Sequence, residues 1–132
     1  MVKKRLTFKG KTEEELKAMS LSDFMQIIPS RSRRSLKRGF TEQQKKLMLK
    51  VKAANQGKIK KPIKTHCRDI VVVPEMLGRE FLVHSGKDWV PVMVTYEFLG
   101  KYLGEFTLNR KKVSHSSPGI GATRSSASMS VK

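Results

Sequence analysis

Apolar residues recur along this chain in two rhythms. Up to about residue 57 they come at helical spacing, divided by polar punctuation. Thr12-Glu13-Glu14-Glu15 puts a hydroxyl at a helix N-cap and a carboxylate three residues on, the arrangement of a capping box. A short helix to about Met19 is predicted. Ser20 or Ser22 caps a second one through Phe24 and Ile27, stopped by Pro29. Arg31 to Arg38 holds a single apolar residue, Leu36, and reads as a short helix or an extended arm broken by Gly39. Thr41-Glu42-Gln43-Gln44 is a second capping box. Its helix should run to about Ala54, with Asn55 and Gly57 as stop signals. Leu47, Val51 and Ala54 share one stripe, with Met48 beside it, while Lys46, Lys50 and Lys52 lie off it. One face therefore packs on protein and the rest is cationic.

The second rhythm is shorter. Lys58 to Lys64 reads as a basic linker interrupted by Pro62. Ile70 to Val73 reads as a buried strand ended by Pro74, and Glu75 to Gly78 as a turn. Glu80 to His84 and Trp89 to Val94 read as strands around the hairpin-like turn Ser85-Gly86-Lys87-Asp88. Pro91 places the second of these at an edge or a bulge. Thr95 caps a predicted helix through Phe98, Leu99, Tyr102 and Leu103, ended by Gly104. From Ser114 onward the chain is Ser, Gly, Ala and Thr with almost no apolar content. Residues 116–132 read as a tail without a core of its own.

Charge changes this picture most. Of 132 residues, 28 are Lys or Arg and 11 are Asp or Glu, a formal net charge of +17. Self-repulsion of that size disfavours the compact state, and a polyanion relieves it. Nucleic acid is the first partner to consider and an acidic membrane surface the second. Hydrophobic content of 38% is low for a globular chain, so part of the length should be extended when free. The charge is also unevenly placed. Residues 1–29 carry +2, residues 30–64 carry +12 with Glu42 as the one acid, residues 65–105 carry −2, and residues 106–132 carry +5. The nearly neutral segment holds the β-rich runs and reads as the folded core. The flanking segments read as arms or helices lying on a polyanion.

Catalytic and metal chemistry find little support. Cys67 is the only cysteine, which rules out an intrachain disulfide and fits a reducing cytosol. Its neighbour His66 would point to the opposite face of a strand, so the pair is no nucleophile and base, and Cys67 is read as a packing residue. One cysteine and three scattered histidines (His66, His84, His115) make a poor zinc site. Glu13, Glu14 and Glu15 are explained by a helix first turn. Gly119-Ile120-Gly121 lacks the strand and Lys-Ser/Thr of a nucleotide loop. No cofactor and no metal are expected. Basic Met1 to Lys11 leads into no apolar stretch and is no secretory signal. The longest aliphatic run, Ile70 to Val73, is far short of the roughly 20 residues of a membrane helix. A membrane-surface protein would need an amphipathic helix with bulky anchors, and the helix from Thr41 has no aromatic one.

The basic runs carry the signal. Arg31, Arg33, Arg34, Lys37 and Arg38 form one cluster. Lys58, Lys60, Lys61 and Lys64, followed by Arg68, form another. Arg110, Lys111 and Lys112 form a third. A solvated surface normally mixes both signs, and here no acid falls within any of the three runs. Arginine suits phosphate because its planar fork makes paired bonds, and interleaved Ser30, Ser32 and Ser35 add hydroxyl donors. Phe81, Phe98 and Phe106 fall in the neutral segment and read as core. No aromatic RNA-binding signature appears, so no base-stacking platform is expected.

Certain residues also resemble a known family. His84-Ser85-Gly86-Lys87-Asp88-Trp89-Val90-Pro91-Val92-Met93-Val94-Thr95, then Leu99-Gly100-Lys101-Tyr102-Leu103-Gly104-Glu105-Phe106, then Arg110, resemble the signature of the small-subunit ribosomal protein family numbered nineteen, fifteen in the eukaryotic numbering. Arg34-Ser35-Leu36-Lys37-Arg38-Gly39 resembles its N-terminal basic motif. Pro118 to Ser126 resembles the tail of its archaeal and eukaryotic branch, as does the helical segment before residue 30. The resemblance covers about residues 31–126. It implies an α+β fold, a small mixed domain with a short three-stranded sheet flanked by helices, plus an extended basic N-terminal segment and a C-terminal tail. The chain then divides into an N-terminal helical extension (1–29), an rRNA-binding domain (30–115) and a flexible tail (116–132). It implies a structural, non-enzymatic place in the head of the small subunit of the cytoplasmic ribosome, on the 3′ major domain of its rRNA. It implies a neighbouring ribosomal protein of the family numbered thirteen, a bridge contact to the large subunit near the aminoacyl-tRNA site, and a tail within reach of tRNA. The three basic clusters, with His66, His115 and Arg124, are the expected rRNA contacts.

Overall fold

Local signals start the helices where the sequence puts them. In the computed structural model, which describes residues 7–59, 61–110, 112 and 124–127, the Glu15 carboxylate accepts from the Thr12 backbone N–H at 2.9 Å. Helix α1 follows over Glu13–Ala18. Ser20 Oγ accepts from the Asp23 N–H at 3.2 Å and opens α2, Leu21–Ile27. The basic segment resolves as a helix rather than an extended arm: α3 spans Ser30–Lys37 after Pro29, and Gly39 follows with φ +88°. Helix α4, Glu42–Asn55, is capped reciprocally by Thr41 and Gln44. Its buried residues are Gln44, Leu47, Val51 and Ala54.

The sheet has three strands in the order β1 (Ile63–Thr65), β2 (Glu80–His84) and β3 (Trp89–Met93). β1 runs parallel to β2, with Thr65 opposite Val83. β3 runs antiparallel to β2, with Val83 opposite Val90 and His84 opposite Trp89. Alternation gives the sheet two faces. Ile63, Thr65, Phe81, Val83 and Val92 are buried inward, and Lys64, Trp89, Pro91 and Met93 are exposed outward. Pro91 lies on an edge strand, as a residue without an N–H should.

Two expectations change here for one reason. The segment Ile70–Val73 is buried, at most 2% exposed, but lies outside the three-stranded sheet. The third strand comes instead from the end of the basic linker. A buried backbone must find partners for its polar groups, and this one finds them in residues 100–104. Val72 N–H donates to Lys101 O at 2.9 Å, Gly100 N–H to Val72 O at 3.0 Å, and Leu103 N–H to Ile70 O at 3.0 Å. The Gly100 and Leu103 amides, donated across that pairing, cannot also close turns of a continuous helix. The single helix predicted from Thr95 is therefore two 3-10 turns, Tyr96–Phe98 and Leu103–Phe106, on either side of the paired stretch. A third 3-10 turn, Pro74–Met76, sits where a turn is predicted.

The helices dock on this pairing. Ile28 packs so closely on Gly100 that a Cβ there would lie 2.9 Å from Ile28 Cγ2. Ser32 Oγ donates to the Gly100 carbonyl, and the Ser35 and Tyr102 hydroxyls meet at 2.6 Å. Ser32 and Ser35 thus face protein, not solvent as donors for phosphate, while Ser30 is exposed. Leu16, Phe24 and Ile28 of the first two helices join the same core as Leu47, Val51, Met76, Phe81 and Leu103. Phe81 lies in that core as expected, while Phe98 and Phe106 are half-buried against it, their rings stacked at 3.7 Å. Tyr96 ties α1 to the C-terminal half by donating to the Glu13 carboxylate. Lys17, then Tyr96, holds the Glu13 carboxyl below its ordinary range. Such a group stabilises the fold above the ordinary carboxylate range and loses that effect as pH falls through its lowered folded value. The contact is open to solvent, so the effect is small.

Arg68 closes the C-terminal end. Its guanidinium donates to the His84, Gly104 and Thr107 carbonyls and to the Thr107 hydroxyl. Gly104 leaves room for it, since a Cβ there would lie 2.9 Å from Arg68 Cβ. A lysine keeps the charge but not the fork, so Arg68→Lys should lower unfolding free energy by roughly 2 kcal/mol in urea titrations. An unchanged midpoint would show that the fork is dispensable. Gly100→Ala should cost roughly 2–4 kcal/mol, combining the left-handed backbone with overpacking against Ile28. Gly57→Ala, at a similar φ but with open space around it, should cost only about 1 kcal/mol. Equal losses at the two glycines would contradict the packing on Ile28.

Candidate nucleic-acid interface

The docking of α3 decides which of its cations reach solvent. Ser32 and Leu36 are buried, which turns Arg31, Arg34, Lys37 and Arg38 outward, all exposed. Arg31, Arg34 and Arg38 recur at three- and four-residue spacing and form one stripe. Arg33 goes the other way. Its Nε donates to Met25 O at 2.8 Å, and one terminal nitrogen donates to Gln26 O at 3.0 Å and Ile28 O at 3.1 Å. These are carbonyls at the C-terminal end of α2, where helical carbonyls lack partners and a cation is favoured.

Arg33 and Arg68 both fall among the expected rRNA contacts, and the structure gives both guanidinium groups internal partners. Arg79 does similar work on α4, donating to Ala54 O at 2.7 Å and Asn55 Oδ1 at 2.9 Å. Three arginines thus satisfy carbonyls at the ends of elements. Arg68 stands two residues before the most apolar run of the chain, and that position is the available hint of burial. For Arg33 the hint was weaker: it adjoins the buried Ser32 on a helix with one apolar residue.

The second cluster surrounds β1. Lys58, Lys61 and Lys64 are exposed, and Lys60 lies outside the described residues. Lys50 of α4 lines the same surface groove as Lys61, Lys64 and Leu82. The fold therefore adds a helix cation to a loop cluster, a pairing across the chain that the linear charge runs could not reveal. In the third cluster Arg110 and Lys112 are exposed. Lys111 and His115 lie outside the described residues, and Arg124 is exposed at the start of the short helix α5, Arg124–Ala127.

Chain alternation sends His66 outward and Cys67 inward, as expected. His66 meets His84 and Trp89 on the outer sheet face, with ring centroids 4.5–5.0 Å apart, and Lys64 Nζ lies 5.6 Å from the Trp89 ring centroid. Nothing in the sequence order brings these residues together.

Electrostatics sets these cations apart. Among the described residues the one cation–carboxylate contact within 4.0 Å is Lys17–Glu13, at 2.6 Å in α1. The outward cations of α3 and of the β1 region thus face water without a carboxylate. No group of three or more metal-ligating side chains gathers among the described residues. No described helix is long and apolar enough to cross a membrane. The α4 stripe that a membrane-surface reading would need is buried in the core.

The family model described as Ribosomal protein S19 matches residues 34–115, more than half of the chain. A relative from Methanococcus aeolicus, named small ribosomal subunit protein uS19, is 46% identical over 129 residues, covering 95% of this chain and 80% of the relative. The match takes in the second half of the α3 stripe, the β1 cluster, the sheet and the Arg68 fork. An unpaired cationic surface on a small α+β core, carried by a chain this similar, identifies a member of the ribosomal protein S19 family, a structural, non-enzymatic component of the small ribosomal subunit.

Proposed function

We propose that the chain binds the 3′ major domain of small-subunit rRNA in the head of the subunit, and that its outward cations are the phosphate contacts. One observation carries this reading: the outward cations of α3 and the described lysines of the β1 region are exposed without carboxylate partners. Phosphate neutralisation explains why so much charge of one sign is tolerated on one small domain. Arg31, Arg34, Lys37 and Arg38 present a rigid stripe. Lys58, Lys61 and Lys64, joined by Lys50, present a loop-and-strand patch, and Lys60 is proposed as a contact of the same run. Arg110, Lys111, Lys112, His115 and Arg124 extend the contact along the C-terminal segment, and His66 lies beside the second patch. Arg33 and Arg68 support these surfaces from within.

The remaining parts of the proposal follow the family resemblance. A neighbour of the family numbered thirteen, a bridge to the large subunit near the aminoacyl-tRNA site, and a tail from residue 116 that reaches tRNA would make the chain a support for decoding.

Phosphate contacts release counterions, so affinity for a head-domain rRNA fragment should fall linearly with the logarithm of salt concentration. Replacing Arg34 and Lys37 by Gln should flatten that slope by about 0.7–0.9 for each contact removed. Arg33→Gln should leave the slope unchanged and lower the melting temperature. Filter binding across a salt series, with thermal melts of the same variants, measures both. A slope unaltered by the Arg34 and Lys37 changes would contradict the assignment.

A further inference from the structure

The outer face of the sheet holds a cluster that phosphate binding leaves unused. Trp89 is the single tryptophan of the chain and is 37% exposed on the edge strand β3. His66 and His84 meet it edge-on, with centroids 4.9 and 5.0 Å away and interplanar angles of 71° and 70°. Lys64 Nζ lies over the indole. His84 is held from two sides: its carbonyl accepts from Arg68, and its Nδ1 accepts from the Gly86 N–H at 3.2 Å, which leaves Nε2 as the donor. The core does not require this cluster, because Phe81, Val83 and Val92 fill the opposite face.

We propose that this face is a stacking platform for an unpaired nucleobase of the RNA. The proposal rests on the phosphate-binding reading above and names a base contact beside it. Three observations favour a base over a strand or helix of another protein. The rings are fixed against one another before any ligand arrives, which reduces the ordering cost of stacking. The cation over the indole, Lys64, suits the phosphate that accompanies each base, although Asp88 stands in the adjoining turn. Pro91 removes an N–H donor from the β3 edge and so works against addition of a protein strand.

The test uses the intrinsic emission of Trp89 in the full chain. The probes are an oligoadenylate of about eight nucleotides and an abasic ribose-phosphate chain of the same length. The oligoadenylate should quench the emission, and the abasic chain should bind with a similar salt slope and leave it unquenched. Trp89→Ala should weaken oligoadenylate binding on the order of tenfold and leave abasic binding unchanged, while Trp89→Phe should retain most of the affinity. Equal quenching by both probes, or equal oligoadenylate affinity of wild type and Trp89→Ala, overturns the platform while the phosphate reading stands. Salt-dependent binding of both probes with no change in emission also overturns it and assigns the face to a protein neighbour. Failure of both probes to bind at low salt overturns both readings.

Discussion

A buried stretch of backbone governs this molecule. Ile70–Val73 lies in the core, away from water, and its N–H and C=O groups must be paired there. The Val72 N–H and carbonyl and the Ile70 carbonyl pair within residues 100–104, and three consequences follow. The C-terminal segment cannot form the continuous helix its apolar spacing favours. Gly100 is drawn under α2, where Ile28 leaves no space for a side chain. The Gly100 carbonyl then becomes the anchor for Ser32, which fixes the rotation of α3 about its axis. The orientation of the basic stripe is thus a downstream result of satisfying a few core carbonyls and amides.

Sequence order carried the local part of this. Both capping boxes, the α4 stripe and the β2–β3 hairpin depend on residues close together in the chain, and all were legible. The pairing of Ile70–Val73 with residues distant in sequence was not, because an apolar run looks the same whether its partner is a sheet or a single segment. The same limit hid the direction of individual side chains. Ser32 and Ser35 looked like phosphate donors because they alternate with arginines, yet they dock the helix. Arg33 and Arg68 looked like members of charge runs, yet they complete the hydrogen bonding of α2 and of the C-terminal turn. Charge counting finds the surface that meets a polyanion but cannot separate an arginine that faces it from one that supports it.

This division of labour gives the basic surface its rigidity. Cations on flexible arms lose freedom when they bind, whereas cations on a docked helix lose less. The Arg68 fork links two regions in the same way, holding the carbonyl of His84 beneath the outer sheet face while closing the turn at Thr107. The aromatic cluster and the surrounding lysines are therefore mounted on the same framework as the core. Membership of the ribosomal protein S19 family fits such a framework, since a component of a ribonucleoprotein must present charge in a defined shape.

The central claim is that this framework exists before RNA arrives. Amide hydrogen exchange on the free chain tests it most directly. The account predicts that the amides of Val72, Gly100 and Leu103 and the later amides of α3 are protected together, at the level of global unfolding. Fast exchange of these amides in the free chain, with protection gained only on binding rRNA, would contradict it.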